Sequence, residues 1–148
     1  MIFFATAPKG TEPAVRDELR SLRIPQVRAG RGGVHFEGTL WDGYRACMHT
    51  RTAVRVLLQI AEFEAPSGDA LYEGTAAVDW TEHLDHRTTL AVRASLSSGA
   101  LTHSQFVAQR TKDAVVDQLR DRFGARPDVD RDDPDVSIGI AASVLRLR

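Results

Sequence analysis

The stretch from His103 to Ile140 is the most informative part of this chain for its chemistry. His103, Ser104 and Gln105 sit where an amphipathic helical pattern begins, and Arg110 and Lys112 follow one and two turns further on. Hydroxyl and amide groups give directional hydrogen bonds, and the free N–H groups and positive dipole end of a helix attract anions. The chemistry on offer is capture of a phosphate, with Arg110 and Lys112 adding mobile positive charge, and not bond making. Arg93, on the strand pattern before the helix, can reach the same surface. The same residues also serve as an ordinary cap, with Thr102 or Ser104 satisfying the first N–H groups. The two readings are compatible. The acidic segment 128–135 opposes an anion, so a binding face should exclude it.

Other constellations point to structure. Gly30-Arg31-Gly32-Gly33 lacks dinucleotide spacing and lies between two strand patterns, as a hairpin turn does. Asp128, Asp130 and Asp132 imitate the start of a calcium loop, but Asp133 and Gly139 occupy positions where that loop needs Gly and Glu. An acidic turn with Asp130 bonding locally is the better reading. His83 and His86 have helical ligand spacing without a third ligand. Cys47 reads as a buried thiol in mid-helix, and Trp80 as a core anchor. Arg28 and Arg31 form a second basic spot, read as solvated surface.

The elements that must carry these residues follow from the pattern. Ile2–Ala7 is a short β run closed by Pro8-Lys9-Gly10. Thr11 caps a helix with stripe Val15, Leu19 and Leu22, stopped by Pro25. Val27 begins a strand that returns through Val34–Glu37, and Thr39 or Asp42 starts a helix through Tyr44, Cys47 and Met48. Val54, Val56, Leu58 and Ile60 alternate as a strand with one better-buried face. The order β-α-β-β-α-β is that of a ferredoxin-like sandwich. After Pro66-Ser67-Gly68 come a weak helix over Asp69–Val78 interrupted by Gly74, a helical turn at Thr81–Leu84, and a strand over Thr88–Ser95. Ser97-Ser98-Gly99 forms a loop. The 103–123 helix turns Ala108, Thr111, Val115, Val116, Leu119 and Phe123 inward, and a last strand runs from Val136 to Leu147.

Composition bounds the function. A chain of 148 residues builds one medium domain or two small ones. The formal net charge of −1 means that any attraction to a polyanion must come from local patches. Lys9 and Lys112 are the only lysines, so arginine, with its planar bidentate contacts, supplies the positive charge. Cys47 alone excludes an intrachain disulfide and suits a reducing cytoplasm. Neither a signal peptide nor a membrane-spanning run is visible.

Several segments, in this order, resemble one family. They are Phe4-Ala5-Thr6-Ala7-Pro8-Lys9-Gly10 with Glu12, Gly32-Gly33-Val34-His35-Phe36, Arg51 before the Val54 strand, Asp79-Trp80, and Ser104-Gln105. Lys112-Asp113-Ala114-Val115-Val116-Asp117 and Arg126-Pro127-Asp128-Val129-Asp130 complete the set. The chain resembles the N-terminal region of bacterial THUMP-containing RNA methyltransferases, especially those that methylate the guanine 2-amino group of large-subunit rRNA. The resemblance implies an α+β protein, with a ferredoxin-like domain over 1–63 and a THUMP domain of α-α-β-α-β-β order over 64–148. After Ile140 little room remains for the last strand. It also implies an RNA-binding module that positions rRNA for a linked or partner methyltransferase dependent on S-adenosylmethionine (SAM). On that reading the RNA-binding residues are Arg93, His103, Ser104, Gln105, Arg110 and Lys112. The chain itself is expected to be non-catalytic and to bind neither metal nor cofactor. SAM belongs to a methyltransferase domain absent from this sequence, either because the chain is a fragment or because it is a stand-alone relative. Expected partners are structured RNA and a methyltransferase domain, in the cytoplasm and away from membranes. The rival readings are a protein-interaction domain and an acylphosphatase-like hydrolase; the lack of any Asn argues against the second.

Overall fold

The first apolar run folds as strand β1, Ile2–Thr6, in a computed structural model that describes residues 1–97 and 101–142. Strand alternation sends Phe3 and Ala5 into a core and turns Ile2, Phe4 and Thr6 to the other face. Helix α1 (Glu12–Ser21) buries Val15 and Leu19 on its inner stripe. Strands β2 (Arg28–Gly30) and β3 (Gly33–Glu37) pair across the two-residue turn Arg31-Gly32, where Gly32 takes a φ of 77° that favours glycine. A Cβ on Gly33 would lie 2.3 Å from the Ala5 carbonyl oxygen, so the β1–β3 pairing needs bare backbone there. Helix α2 (Leu40–His49) starts in a capping box. The Thr39 hydroxyl accepts the Asp42 N–H, and the Asp42 carboxylate accepts the Thr39 N–H, so both candidate starters act together. Strand β4 (Arg55–Leu58) completes an antiparallel sheet of order β2-β3-β1-β4, with Phe3 opposite both Phe36 and Leu58. This is the expected ferredoxin-like arrangement.

Three local expectations change. The Val54–Ile60 strand shrinks to Arg55–Leu58, because pairing runs only from Thr6–Arg55 to Phe3–Leu58. Val54 and Ile60 are therefore exposed, and only Val56 and Leu58 pack on the core. Thr11 does not cap α1 with its side chain. Its hydroxyl donates to the Pro8 carbonyl, and Glu12 instead accepts the Gly10 and Gly32 N–H groups. Cys47 is exposed and not buried: the inner face of α2 falls on Gly43 and Ala46, and position 47 turns outward.

The exit from α1 is tightly built. Ile24 donates its N–H to Leu19 and Arg23 donates to Arg20, the paired bonds of a Schellman motif, and Ile24 packs in the core with Leu19. Arg23 holds the left-handed position of this motif, φ 58°, where glycine is the usual residue. A side chain in that conformation costs about 1 kcal/mol. Gln26, at φ 50°, is the other non-glycine residue in this region among the described residues.

A second compact unit begins at Ala61. Helix α3 (Gly68–Ala76) is capped by the Ser67 hydroxyl and runs through Gly74 unbroken. The Phe63 ring fills the space beside Gly74, 2.3 Å from where a Cβ would lie, which explains a glycine inside a helix. A 3-10 turn over Trp80–Glu82 follows. Strands β5 (Leu90–Leu96) and β6 (Val136–Ala142) pair in parallel, from Leu90–Val136 to Leu96–Ala142, with helix α4 (Ser104–Phe123) between them in sequence. β5 begins later than expected because Thr89 is occupied by the Asp135 carboxylate, through both its N–H and its hydroxyl. The expected loop at Ser97-Ser98-Gly99 and the strand continuation towards Leu147 lie in part outside the described residues.

Helix α4 buries Val107, Thr111, Ala114, Val115, Val116 and Leu119. The expected stripe was displaced at its ends. Ala108 is only partly covered, and Phe123 is exposed at the last turn, just before Gly124 at φ 71°. Leu90, Val115, Leu119, Ile138 and Trp80 form one core, and Leu71 and Val107 centre a second with Phe63, Leu96 and Leu101. Trp80 is the anchor its size suggested, with its indole N–H donating to the Thr75 carbonyl. Gln118 binds the parts together. Its amide nitrogen donates to the Ala76 and Val78 carbonyls, and its amide oxygen accepts the Trp80 N–H. One side chain thus satisfies the backbone left open at the end of α3.

Two measurements check these assignments. Gln118→Ala should lower unfolding stability by about 2 kcal/mol in a urea titration, since it strands several polar groups. Glu18 provides the counterpart in the first unit. Burial pushes its carboxyl up, but the Thr52 and Thr50 hydroxyls and the Arg51 and Thr52 N–H groups outweigh this and bring it down from 4.5 to about 2. A depressed carboxyl stabilises the fold fully above pH 4.5 and loses that contribution as pH falls towards 2. Glu18→Gln should therefore cost about 2 kcal/mol at neutral pH and make the acid limb of a stability-against-pH curve shallower. An unchanged acid limb would remove Glu18 from this role.

Candidate nucleic-acid interface

At the N terminus of α4 the backbone is left open. His103 is the cap residue, yet among the described residues no side chain accepts a hydrogen bond there, so neither Thr102 nor Ser104 makes the expected cap. The first turn holds no acidic residue, and Thr102, His103, Ser104, Gln105 and Phe106 are all exposed. In contrast, α2 and α3 have side-chain caps and an Asp in the first turn. The start of α4 keeps its positive end and its N–H donors available to an anion.

Packing sets what stands beside it. Gly68 lies against Phe106 and Arg110, the Tyr72 hydroxyl donates to Asp117, and Gln118 reaches Ala76, so α3 and α4 run side by side in the same direction. Their N termini share one end of the unit. Leu96 and Leu101 pack with Val107 there, which puts this end at the carboxyl ends of β5 and β6. In open α/β layers that end is where ligands bind.

The predicted residues separate into three groups. His103, Ser104 and Gln105 lie together on the open first turn. Arg110 and Lys112 are two positions apart, about 200° around the helix, and so do not share a face. Arg110 is docked and not mobile. Its Nε donates to the Gly68 carbonyl at 3.3 Å, an Nη2 donates to Asp69 at 2.8 Å, and its guanidinium lies 4.7 Å from the centre of the Tyr72 ring. The Asp117 acceptor, together with burial, holds the Tyr72 phenol above its usual range, so the ring stays neutral under the arginine. Lys112 lies on the ridge of Gln105 and Gln109, 3.6 Å from Asp113.

Arg93 does not join this surface. Leu90, Val92, Ala94 and Leu96 pack with the α4 side of the sheet, so Arg93 is turned to the opposite face, where it donates to the Arg131 carbonyl. It belongs with the acidic segment. Asp130 there accepts the N–H groups of Asp132 and Asp133, which holds its carboxyl below the usual range and makes this spacing a turn. Among the described residues no group of three His, Cys, Asp or Glu is placed to hold a metal ion. His83 lies near the Trp80 ring and His86 near that of Phe123.

Sequence reasoning missed Phe106 and Tyr72. Phe106 is about half exposed, and its ring lies across Gly68 beside the open turn. Its position off the apolar stripe, directly after Ser104-Gln105, is the signal that marks it. Tyr72 shows itself only through the packing of α3 on α4.

Comparison with known proteins fits both units. Residues 2–57 match the RlmL ferredoxin-like domain and residues 66–142 match the THUMP domain. The ribosomal RNA large subunit methyltransferase K/L of Syntrophotalea carbinolica is 49% identical over 138 residues, covering 93% of this chain and 19% of that protein. The protein of the same name from Methylococcus capsulatus is 43% identical with the same coverage. The chain thus spans about a fifth of the length of these relatives. Among solved structures, a predicted N6-adenine-specific DNA methylase from Listeria monocytogenes aligns with a TM-score of 0.81 at 25% identity, covering 99% of this chain and 39% of that one. TrmN from Thermus thermophilus shares the fold, with a TM-score of 0.77 at 22% identity over 99% of this chain and 43% of that one. The chain belongs to the THUMP-domain family, with a ferredoxin-like domain of the RlmL type ahead of the THUMP domain.

Proposed function

We propose that this chain is an RNA-binding module that positions structured rRNA for a SAM-dependent methyltransferase domain, linked to it or acting as a partner, in the cytoplasm. The observation that carries this reading is the match, across 93% of the chain, to proteins named as large-subunit rRNA methyltransferases. No described helix is long and apolar enough to cross a membrane. The residues do not fit SAM themselves. The glycine run at 30–33 closes an antiparallel hairpin and does not feed a helix, so it cannot act as a helix-linked phosphate cradle. The chain's part is to hold and orient RNA.

The open turn of α4 supports a contact of a particular kind. Its free N–H groups suit a phosphate, and the Ser104 hydroxyl and Gln105 amide suit a phosphate or a 2′-hydroxyl. Phe106 offers a ring on which an unpaired base can stack. Lys112 adds charge along the Gln105 ridge, and Arg110, clamped on Tyr72, offers its remaining N–H groups in a fixed direction.

Gln105→Ala with Lys112→Ala should weaken binding of a labelled rRNA hairpin by about tenfold at low salt and reduce the salt slope by about one unit. The fold should hold, since both positions lie off the buried stripe of α4. Arg110→Ala should weaken binding too, but with a loss of about 1 kcal/mol in stability from its contacts with Asp69 and Tyr72. Filter binding and thermal melts separate the two effects. Wild-type affinity and slope in a folded Gln105/Lys112 variant would exclude this surface.

A further inference from the structure

Charge is divided unevenly between the two units. Residues 1–60 carry nine Lys and Arg against five Asp and Glu, whereas residues 61–148 carry ten against fifteen. The unit that holds α4 is net acidic, and a polyanion bound there works against its field. The cationic surplus lies in the ferredoxin-like unit.

Within that unit the surplus gathers at the bend between α1 and β2. Arg20, in the last turn of α1, donates to the Val27 carbonyl at 3.3 Å, and Arg45, from α2, donates to the Leu22 carbonyl at 3.3 Å. Arg23 stands between these anchor points, and Arg28 follows at the start of β2. Arg20, Arg23 and Arg28 are exposed, and among the described residues none has a carboxylate within ion-pair distance. Nearby acids are occupied: Asp17 pairs with Arg16, and Glu18 is turned to Thr50–Thr52. Arg45 reaches Asp42 only at 3.8 Å.

The backbone adds an independent observation. The Schellman turn puts Arg23 where glycine would be unstrained, and among the described residues no hydrogen bond or ion pair holds the side chain that this strain presents. Strain kept at an exposed, unpaired cation points to use outside the fold.

We propose that Arg20, Arg23, Arg28 and Arg45 form a second phosphate-binding surface for the backbone of structured RNA, and that this surface supplies most of the chain's salt-dependent affinity. The proposal rests on the RNA reading above. The two surfaces divide the work: the arginine bend gives charge without sequence preference, and the open turn of α4 gives direction.

The test is fluorescence anisotropy of the whole chain with a labelled RNA hairpin of about 16 base pairs, between about 50 and 200 mM KCl. The triple change Arg20→Ala, Arg23→Ala and Arg28→Ala should weaken binding by more than about tenfold at low salt and lower the salt slope by about two to three. Arg23→Gly is the discriminating variant. Its melting temperature should equal or exceed the wild type, because glycine suits the left-handed position, while affinity falls about two- to fivefold. If the triple variant does not fold, Arg23→Gly and Arg28→Ala carry the test alone. Wild-type affinity and slope in the folded arginine variants, with binding lost in the Gln105/Lys112 variant, would overturn this proposal and leave the RNA reading standing. Failure of the wild-type chain to bind the hairpin at low salt would overturn both.

Discussion

Because β5 and β6 run parallel, the chain must cross back over the sheet between them, and α4 is that crossover. The constraint fixes most of the second unit. It puts the start of α4 at the carboxyl ends of the strands and turns Val107, Val115 and Leu119 onto Leu90, Val92 and Leu96. It leaves the flank of α4 for α3, which Gln118 then holds by its two amide ends. The open first turn is a consequence of this geometry. A helix that starts at a strand end, with exposed polar residues and no acidic side chain in its first turn, presents backbone donors to whatever approaches.

The first unit is organised differently. Its sheet is antiparallel, and its order follows from two β-α-β halves that interleave about β1 and β3. Helix α2 starts in the Thr39–Asp42 box, the Glu18 carboxylate gathers Thr50–Thr52 just beyond its end, and α1 closes in a backbone Schellman turn. The positive charge that the unit offers outside is on side chains, and arginine supplies nearly all of it. One unit therefore presents fixed backbone dipoles and the other presents guanidinium groups. Phosphate accepts both, but only the second kind is strongly weakened by salt.

Patterning made much of this legible from the sequence. The β-α-β-β-α-β order, the hairpin at Gly30–Gly33, the role of Trp80 and the long α4 all follow from periodicity and turn residues, which are local signals. The errors came where tertiary contacts decide. Cys47 lies one position from the buried Ala46, and a stripe on so short a helix does not reveal which neighbour faces in. Gly74 looked like a break because the Phe63 ring that requires it is eleven residues away. Arg110 looked mobile because its partners, Gly68, Asp69 and Tyr72, lie on another helix. Arg93 looked close to the α4 start because strand alternation gives a face but not which element covers it. Even the cap at His103 could not be excluded by composition, since Thr102 and Ser104 are both good capping types that here make no such bond.

On the proposed function, RNA is oriented at the open first turn of α4. Backbone amide NMR of the ¹⁵N-labelled chain, titrated with an rRNA hairpin at low salt, tests it most directly. The N–H signals of Ser104, Gln105 and Phe106 should move furthest downfield within the second unit, and those of the capped α3 start and the acidic turn at Asp130 should stay in place. RNA binding that leaves the Ser104–Phe106 amides unmoved would contradict it.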